Sequence, residues 1–90
     1  SINLAKIFLK NTNLNSSLLE AYFHFELFQN LKHLDLSDNR IEYLPKNFLK
    51  YRSNIDLLNL KGNFLKKFSD ANTNNIKIIR NLDLSYNRLS

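Results

Sequence analysis

The dominant feature of the sequence is an 11-residue pattern that recurs at a fixed spacing. LKHLDLSDNRI at 31–41 returns as IDLLNLKGNFL at 55–65 and as IRNLDLSYNRL at 79–89. Leu34, Leu58 and Leu82 are equivalent, so the period is 58 − 34 = 82 − 58 = 24 residues. A period of this size is typical of stacked repeats that form a solenoid. The whole chain is therefore predicted to be one repeat array.

A fourth, degenerate copy lies upstream in LAKIFLKNTNL at 4–14. Ile7 takes the place of Leu34, so this step is 34 − 7 = 27 residues. The predicted domain, 1–90, is one array of four repeats, at 4–30, 31–54, 55–78 and 79–90. The last copy stops after its asparagine turn, and we expect its leucines to expose apolar surface, as an uncapped repeat does.

In the three regular copies, two leucines flank one polar residue, which is the pattern of a short strand with one buried face. The strands of successive repeats are predicted to pair in a parallel sheet. Farther on, each copy has a polar residue where the chain turns inward, and an amide there can bond backbone groups that leave the sheet. This predicted structural ladder consists of Thr12, Asn39, Asn63 and Asn87.

The pattern LxxLxLxxNxL resembles the leucine-rich repeat family over almost the entire chain. The repeat length, and Leu44-Pro45 after the asparagine turn, resemble the typical class found in Toll-like receptors and related extracellular proteins. Phe25 and Phe28 match the residues with which that class ends a repeat. The resemblance implies an α/β fold, a right-handed solenoid or horseshoe. Short parallel strands would lie on its concave face, and loops and short helical turns on its convex face.

The first repeat holds its three extra residues in the segment after its turn. Ser17 and Glu20 have the spacing of a helix capping box, which favours a short convex helix. The alternation of Phe23, Phe25 and Leu27 would instead favour a strand. The repeat register favours the helix.

The functional candidates follow from strand geometry. Residues beside the buried leucines point out of the concave face. They align in rows that cross the strands, which lie roughly 5 Å apart. A rigid platform of this kind suits a protein partner because it preorganises the contacts. The predicted partner-binding residues are Lys6, Phe8, Lys10, His33, Asp35, Ser37, Leu57, Asn59, Lys61, Asn81, Asp83 and Ser85.

Phe8 and Leu57 stand out in this set because both are apolar at positions that face solvent. Such side chains dominate interface energies, so these two are the predicted anchors. The alternative is that isolated exposed apolar residues carry no function. The mixed charges of the set favour specificity over electrostatic steering.

Composition disfavours several other functions. The chain has no cysteine, one glycine and two histidines, so no cofactor and no metal site is predicted. His33, Asp35 and Ser37 share a strand face without a second base beside them, and no enzyme activity is predicted. No apolar run is long enough to enter a membrane. The net charge is +5, but Asp56 and Asp83 interrupt the basic residues, which disfavours nucleic acid as a partner.

Asn15-Ser16-Ser17 is the one N-glycosylation sequon in the chain, and an unmodified surface asparagine is the alternative reading of it. The resemblance implies a protein-recognition module of a receptor ectodomain, of Toll-like or adhesion type and with a role in innate immunity. Its partner would be a protein ligand, a co-receptor or a second receptor chain, outside the cell. The alternatives are a cytoplasmic scaffold and a structural spacer within a longer array.

Overall fold

The computed structural model describes residues 5–22, 30–45, 48, 54–68 and 78–90. Its elements, in chain order, are β1 (Lys6–Phe8), α1 (Ser16–Tyr22), β2 (His33–Asp35), β3 (Asn54–Ile55), β4 (Leu57–Asn59), β5 (Ile78–Ile79) and β6 (Leu82–Asp83). Each of the four sequence copies gives one strand to a parallel sheet in the order β1-β2-β4-β6. The predicted parallel sheet is therefore confirmed.

Equivalent residues of successive copies pair directly in this sheet. Leu34 pairs with Ile7 on one side and with Leu58 on the other. Leu58 in turn pairs with Leu82. The longer first step and the two later steps thus give the same register, so the three extra residues of the first repeat lie outside the sheet.

A second parallel sheet has two strands, β3 and β5, in which Asn54 pairs with Ile78 and Ile55 with Ile79. Asp56 alone separates β3 from β4, and its N–H donates to the carbonyl of Lys32 at 2.9 Å. This small sheet was not predicted, because strands of two residues are too short to show a periodic pattern.

The core lies behind the four-stranded sheet and is built from the repeated aliphatic residues. Leu19 of α1 and Phe48 belong to the same buried cluster as the strand leucines. The core residues with no exposed surface are Leu19, Leu31, Leu34, Leu36, Ile41, Phe48, Ile55, Leu58, Leu60 and Leu65. Burial of each such side chain contributes about 1.5–3 kcal/mol, which makes this core the main source of stability.

The last copy is packed less deeply than the two before it. Leu82 and Leu89 are 41% and 43% exposed, whereas the equivalent Leu58 and Leu65 are fully buried. Leu84 is half-buried. The leucines at 82 and 89 thus have neighbours on fewer sides than their counterparts one repeat earlier.

The helix predicted for the first repeat is present as α1, although its cap is not the predicted one. The capping box of Ser17 and Glu20 is wrong, because the side-chain Oδ1 of Asn15 accepts the N–H of Leu18 at 2.8 Å. Asn15 forms a parallel bridge with Arg40 of the next repeat, and the helix begins at Ser16, immediately after it. Residues 23, 25 and 27 of the competing strand prediction lie outside the described residues.

Ser16, the first residue of α1, joins the helix to the second repeat. Its side chain is 4% exposed. Its Oγ donates to the carbonyl of Tyr43 at 2.7 Å and accepts the N–H groups of Glu42 and Tyr43 at 3.1 and 3.0 Å. A single hydroxyl therefore satisfies three backbone groups where the chain leaves the strand.

Asn39 makes a dense set of hydrogen bonds between the first two repeats. Its Oδ1 accepts the N–H groups of Thr12 and Leu14, both at 2.9 Å. Its Nδ2 donates to the carbonyls of Leu9 and Leu36 at 2.9 and 3.0 Å. The amide thus holds the turn of its own repeat and the turn of the preceding one.

Asn63 repeats this arrangement one repeat later. Its Oδ1 accepts the N–H of Ile41 at 3.0 Å, and its Nδ2 donates to the carbonyls of Leu36 and Leu60, each at 3.0 Å. Asn87 makes the equivalent bonds but is only half-buried. Asn39 and Asn63 are 5% and 2% exposed, so their backbone partners have little access to water.

Thr12 differs from these asparagines because a hydroxyl reaches fewer groups. Its Oγ1 donates to the carbonyl of Leu9 in its own repeat at 2.9 Å and lies 3.3 Å from the Oδ1 of Asn39. The side chain of Thr12 is exposed. The turn of the first repeat therefore receives more hydrogen bonds from the Asn39 side chain of the second repeat than from its own Thr12.

The residue just before each of these four positions has a left-handed backbone. The φ angles are 53° at Asn11, 55° at Asp38, 70° at Gly62 and 55° at Tyr86. Glycine adopts this conformation freely and asparagine and aspartate tolerate it, whereas a bulky residue is strained by about 1–2 kcal/mol. A Cβ at position 62 would also collide with the carboxylate of Asp38. These left-handed positions were not predicted, although Asn, Asp and Gly at one repeat position were a signal for them.

Replacement of Asn63 by alanine should lower the free energy of unfolding by roughly 2–4 kcal/mol. The substitution leaves several buried backbone groups without partners, at about 1–3 kcal/mol each. Urea unfolding followed by circular dichroism measures the effect. Asn87→Ala is the matched control, and its smaller loss is expected because water can reach the half-buried groups there. Equal losses at the two positions would contradict this account.

Amide hydrogen exchange should distinguish the last repeat from the others. We expect the amides of Leu82, Leu84 and Leu89 to exchange faster than those of Leu34, Leu36 and Leu58, because the exposed side chains admit water to the backbone. Exchange followed by nuclear magnetic resonance resolves individual amides. Similar protection of both groups would show that exposure in the last repeat does not loosen it.

Candidate functional site

The four-stranded sheet has one face against the leucine core and an opposite face, which we call the open face. Strand pairing arranges the residues of the open face in rows that cross the strands. One row is Lys6, His33 and Leu57, and the next is Phe8, Asp35, Asn59 and Asp83. In strands β2 and β4 these side chains are half-buried and alternate with buried leucines, as a strand with one buried face requires.

A third row continues just beyond the strands, where backbone hydrogen bonds still join successive repeats. The carbonyls of Ser37, Lys61 and Ser85 each accept an N–H from the preceding repeat, at 3.0, 2.8 and 3.0 Å. Lys10, Lys61 and Ser85 are exposed in this row, and Asn81 is exposed ahead of β6. The open face therefore extends past the ends of the strands.

The expectation that Ser37 meets a partner is wrong. Ser37 is only 3% exposed. Its Oγ donates to the Oδ1 of Asp35 at 2.6 Å, and this bond turns the hydroxyl back towards its own strand. Ser85, the equivalent residue of the last repeat, makes the same bond to Asp83 while remaining exposed.

The polar residues of the second row are fixed by their own backbone. The Oδ1 atoms of Asp35, Asn59 and Asp83 accept the N–H of the residue two positions later, at 2.9, 3.0 and 2.9 Å. One side-chain oxygen in each residue thus has a structural role. The second oxygen or the amide nitrogen stays on the open face in a set orientation, which lowers the entropy lost when a partner binds.

The carboxylate of Asp83 is stabilised in its charged form. Hydrogen bonds from the hydroxyl and then the N–H of Ser85 lower the pKa of Asp83 below its ordinary value, and the charge of Lys61 lowers it further. Asp83 is therefore ionised at neutral pH. It offers a partner a fixed negative charge.

Ion pairs on this side of the molecule mix the two signs of charge. Asp56 lies between Arg80 and His33, with its Oδ1 3.3 Å from the Nε of Arg80 and its Oδ2 3.9 Å from the Nε2 of His33. Lys10 Nζ lies 3.9 Å from the Oδ2 of Asp38. The acidic groups break the track of positive charge that a phosphate backbone would need.

The arrangement of His33, Asp35 and Ser37 does not form a proton relay. Asp35 bonds the hydroxyl of Ser37, whereas the imidazole of His33 is directed to Asp56. Within the part of the chain that the structure describes, no group of three or more histidines and carboxylates is placed to hold a metal ion.

The two predicted anchors differ in exposure. Phe8 is 58% exposed in the row of Asp35 and Asp83, and Leu57 is half-buried. Leu57 lines a depression of about 500 Å³ with Asn59, Arg80, Asn81, Leu82 and Asp83. Phe8 thus projects from the open face, and Leu57 forms one wall of the depression.

Asn15 of the sequon is exposed at the start of α1. Its Oδ1 caps the helix, which leaves the amide nitrogen for a substituent. Beside it lies a depression lined by Asn15, Ser16, Ser17, Arg40, Glu42 and Tyr43. The sequon is therefore at the surface, away from the open face.

These features define a repeat protein. Each repeat contributes one strand to a parallel sheet, and buried asparagines join the turns of successive repeats. The leucine rich repeat family model matches residues 29–89, and the chain belongs to the leucine-rich repeat family. Domains of this family are typically non-enzymatic modules that bind proteins. No helix among the described residues is long and apolar enough to cross a membrane.

A curated protein of Danio rerio, transforming growth factor beta activator LRRC33, is similar to this chain. The two are 33% identical over 79 residues, which is 88% of this chain and 11% of that protein. The chain thus spans about a tenth of the relative it matches. No solved structure gives a significant match.

The depressed pKa of Asp83 leads to a prediction for Ser85→Ala. Loss of the hydroxyl should raise the pKa of Asp83 towards its ordinary value, because the strongest of the bonds to the carboxylate is removed. A carbon-detected magnetic resonance titration measures it. Since the folded pKa lies below the unfolded one, the stabilisation is present above the unfolded pKa and is lost as the pH falls through the folded pKa. An unchanged titration in S85A would contradict the assignment.

Proposed function

We propose that this chain is a protein-recognition segment of a longer leucine-rich repeat array and that its open face binds a protein ligand or co-receptor. The observation that supports this most is the second row of the sheet. This row contains the ring of Phe8, which is 58% exposed, and the side chains of Asp35, Asn59 and Asp83 on the following strands. Those three side chains are already held in one orientation. An apolar anchor next to prealigned polar groups is the composition of a specific protein interface.

The proposed contact set is Lys6, Phe8, Lys10, His33, Asp35, Leu57, Asn59, Lys61, Asn81, Asp83 and Ser85. In a right-handed solenoid these residues would lie on the concave wall, where curvature lets a partner touch several repeats at once. We assign no catalytic role to them. The mixed charges at Asp83, Lys61 and Asp56 favour selection among partners over fast electrostatic capture.

We further propose that the array belongs to a receptor-like ectodomain, outside the cell. The relative from Danio rerio supports this proposal, since its name describes an activator of transforming growth factor beta. The exposed Asn15 is then a glycan attachment site. An intracellular scaffold would lack this glycan. Mass spectrometry of the chain secreted from animal cells tests whether the sequon accepts a glycan, and an unmodified Asn15 in secreted protein would count against the assignment of the site.

The first ligand to test is transforming growth factor beta, the factor in the relative's name. Surface plasmon resonance with the immobilised factor measures binding of the full chain. We expect Phe8→Ala and Leu57→Ala each to weaken binding by roughly 5- to 30-fold, which corresponds to about 1–2 kcal/mol.

Leu18→Ala is the matched control for these variants. Leu18 is 37% exposed on α1, away from the open face, so its removal deletes an exposed apolar side chain without touching the proposed contacts. Its affinity should equal that of the unmodified chain. Equal effects at positions 8 and 18 would reject the open face as the binding surface, and no binding by the unmodified chain would reject this ligand.

A further inference from the structure

Tyr86 occupies a backbone position that its side chain does not favour. The equivalent residues of the other repeats are Asn11, Asp38 and Gly62, which accept a positive φ at lower cost. Tyr86 has a φ of 55°, and it is 78% exposed, the highest exposure among the large apolar side chains that the structure describes. Its ring therefore gains little from burial that would offset the strained backbone. Strained residues of this kind concentrate at functional sites.

Cations lie over two aromatic rings at this edge of the molecule. The Nζ of Lys61 is 5.3 Å from the centroid of the Tyr86 ring, and the guanidinium carbon of Arg88 is 4.5 Å from the centroid of Phe64. The N–H of Gly62 donates to the carbonyl of Ser85 at 3.0 Å, so the backbone keeps the two repeats side by side here. We call Lys61, Phe64, Tyr86 and Arg88 the lateral patch.

The charges of the lateral patch are available to a partner. Among the described residues, no carboxylate oxygen lies within 4.0 Å of a charged nitrogen of Lys61 or Arg88, so neither side chain forms an ion pair. Lys61 does lower the pKa of Asp83, so its charge also acts towards the open face. Arg88 is exposed and follows Asn87, whose Oδ1 accepts the N–H of Leu65 at 2.9 Å and fixes the segment.

We propose that the lateral patch is a second interaction surface, which adjoins the open face at Lys61, and that it binds an acidic segment of a protein partner. Carboxylates of that segment would meet Lys61 and Arg88, and an apolar side chain would lie on the ring of Tyr86. Charge complementarity favours such a segment. A single nucleic acid strand also uses cations and stacked rings, but it needs a longer positive track, and Asp83 interrupts that track beside Lys61.

The test uses Tyr86→Asn in the full chain. Asparagine tolerates the left-handed backbone, so the melting temperature should stay the same or rise while the ring is removed. The probe is a fluorescein-labelled peptide of glutamate and leucine, read by fluorescence anisotropy, with a glutamine-for-glutamate peptide as its control. We expect Y86N to bind the acidic peptide about fivefold more weakly, and the control peptide to bind neither protein.

Charge variants determine whether the binding is local. Lys61→Gln should weaken peptide binding as Y86N does, whereas Lys66→Gln, which removes an exposed charge outside the patch, should not. Phe8→Ala should leave peptide binding intact, so a failure of the open-face proposal would not be mistaken for a failure of this one. Equal losses from K61Q and K66Q, full affinity in Y86N, or stronger binding of an oligothymidylate than of the peptide would each overturn the proposal.

Discussion

The side-chain amide of a buried asparagine is the interaction on which the rest of this structure depends. Asn39 and Asn63 each replace the hydrogen bonds that the backbone loses when it leaves the sheet, and each does so for two repeats at once. Without those bonds the turns would bury unpaired polar groups behind a leucine core, at a cost of about 1–3 kcal/mol for each group. The strands are only two or three residues long, so their own ladder cannot hold the repeats in register.

The short strands also explain why polar side chains of the open face are held in place. Where a strand ends, Asp35, Asn59 and Asp83 accept backbone N–H groups from their own turns and so become part of the scaffold. Their remaining polar atoms and the ring of Phe8 are then presented by a rigid sheet instead of a loop. In the proposed interface, the same residues therefore serve both the turn and the contact, and a substitution in this row is expected to affect both.

Much of the fold could be predicted from the period of the sequence, because a repeat that keeps phase fixes the register without any knowledge of contacts. The pairing of Leu34 with Leu58 and the bonding position of Asn63 follow from that spacing. Other features depend on local competition for hydrogen bonds, which a pattern of residue types does not resolve. Ser37 turned inward because Asp35 was within reach, and the helix began immediately after Asn15, which forms a parallel bridge with Arg40.

The amino-acid sequence by itself determined which residues are equivalent, which side of each strand in the four-stranded sheet is apolar and where the asparagine turns fall. Only the tertiary structure decided how deeply equivalent residues are buried. Leu58 and Leu82 have the same local pattern, yet one has no exposed surface and the other is 41% exposed, because burial depends on the repeats stacked on both sides. The tertiary structure likewise brought Lys61 over Tyr86, from separate repeats, since residues far apart in the chain become neighbours only when the repeats stack.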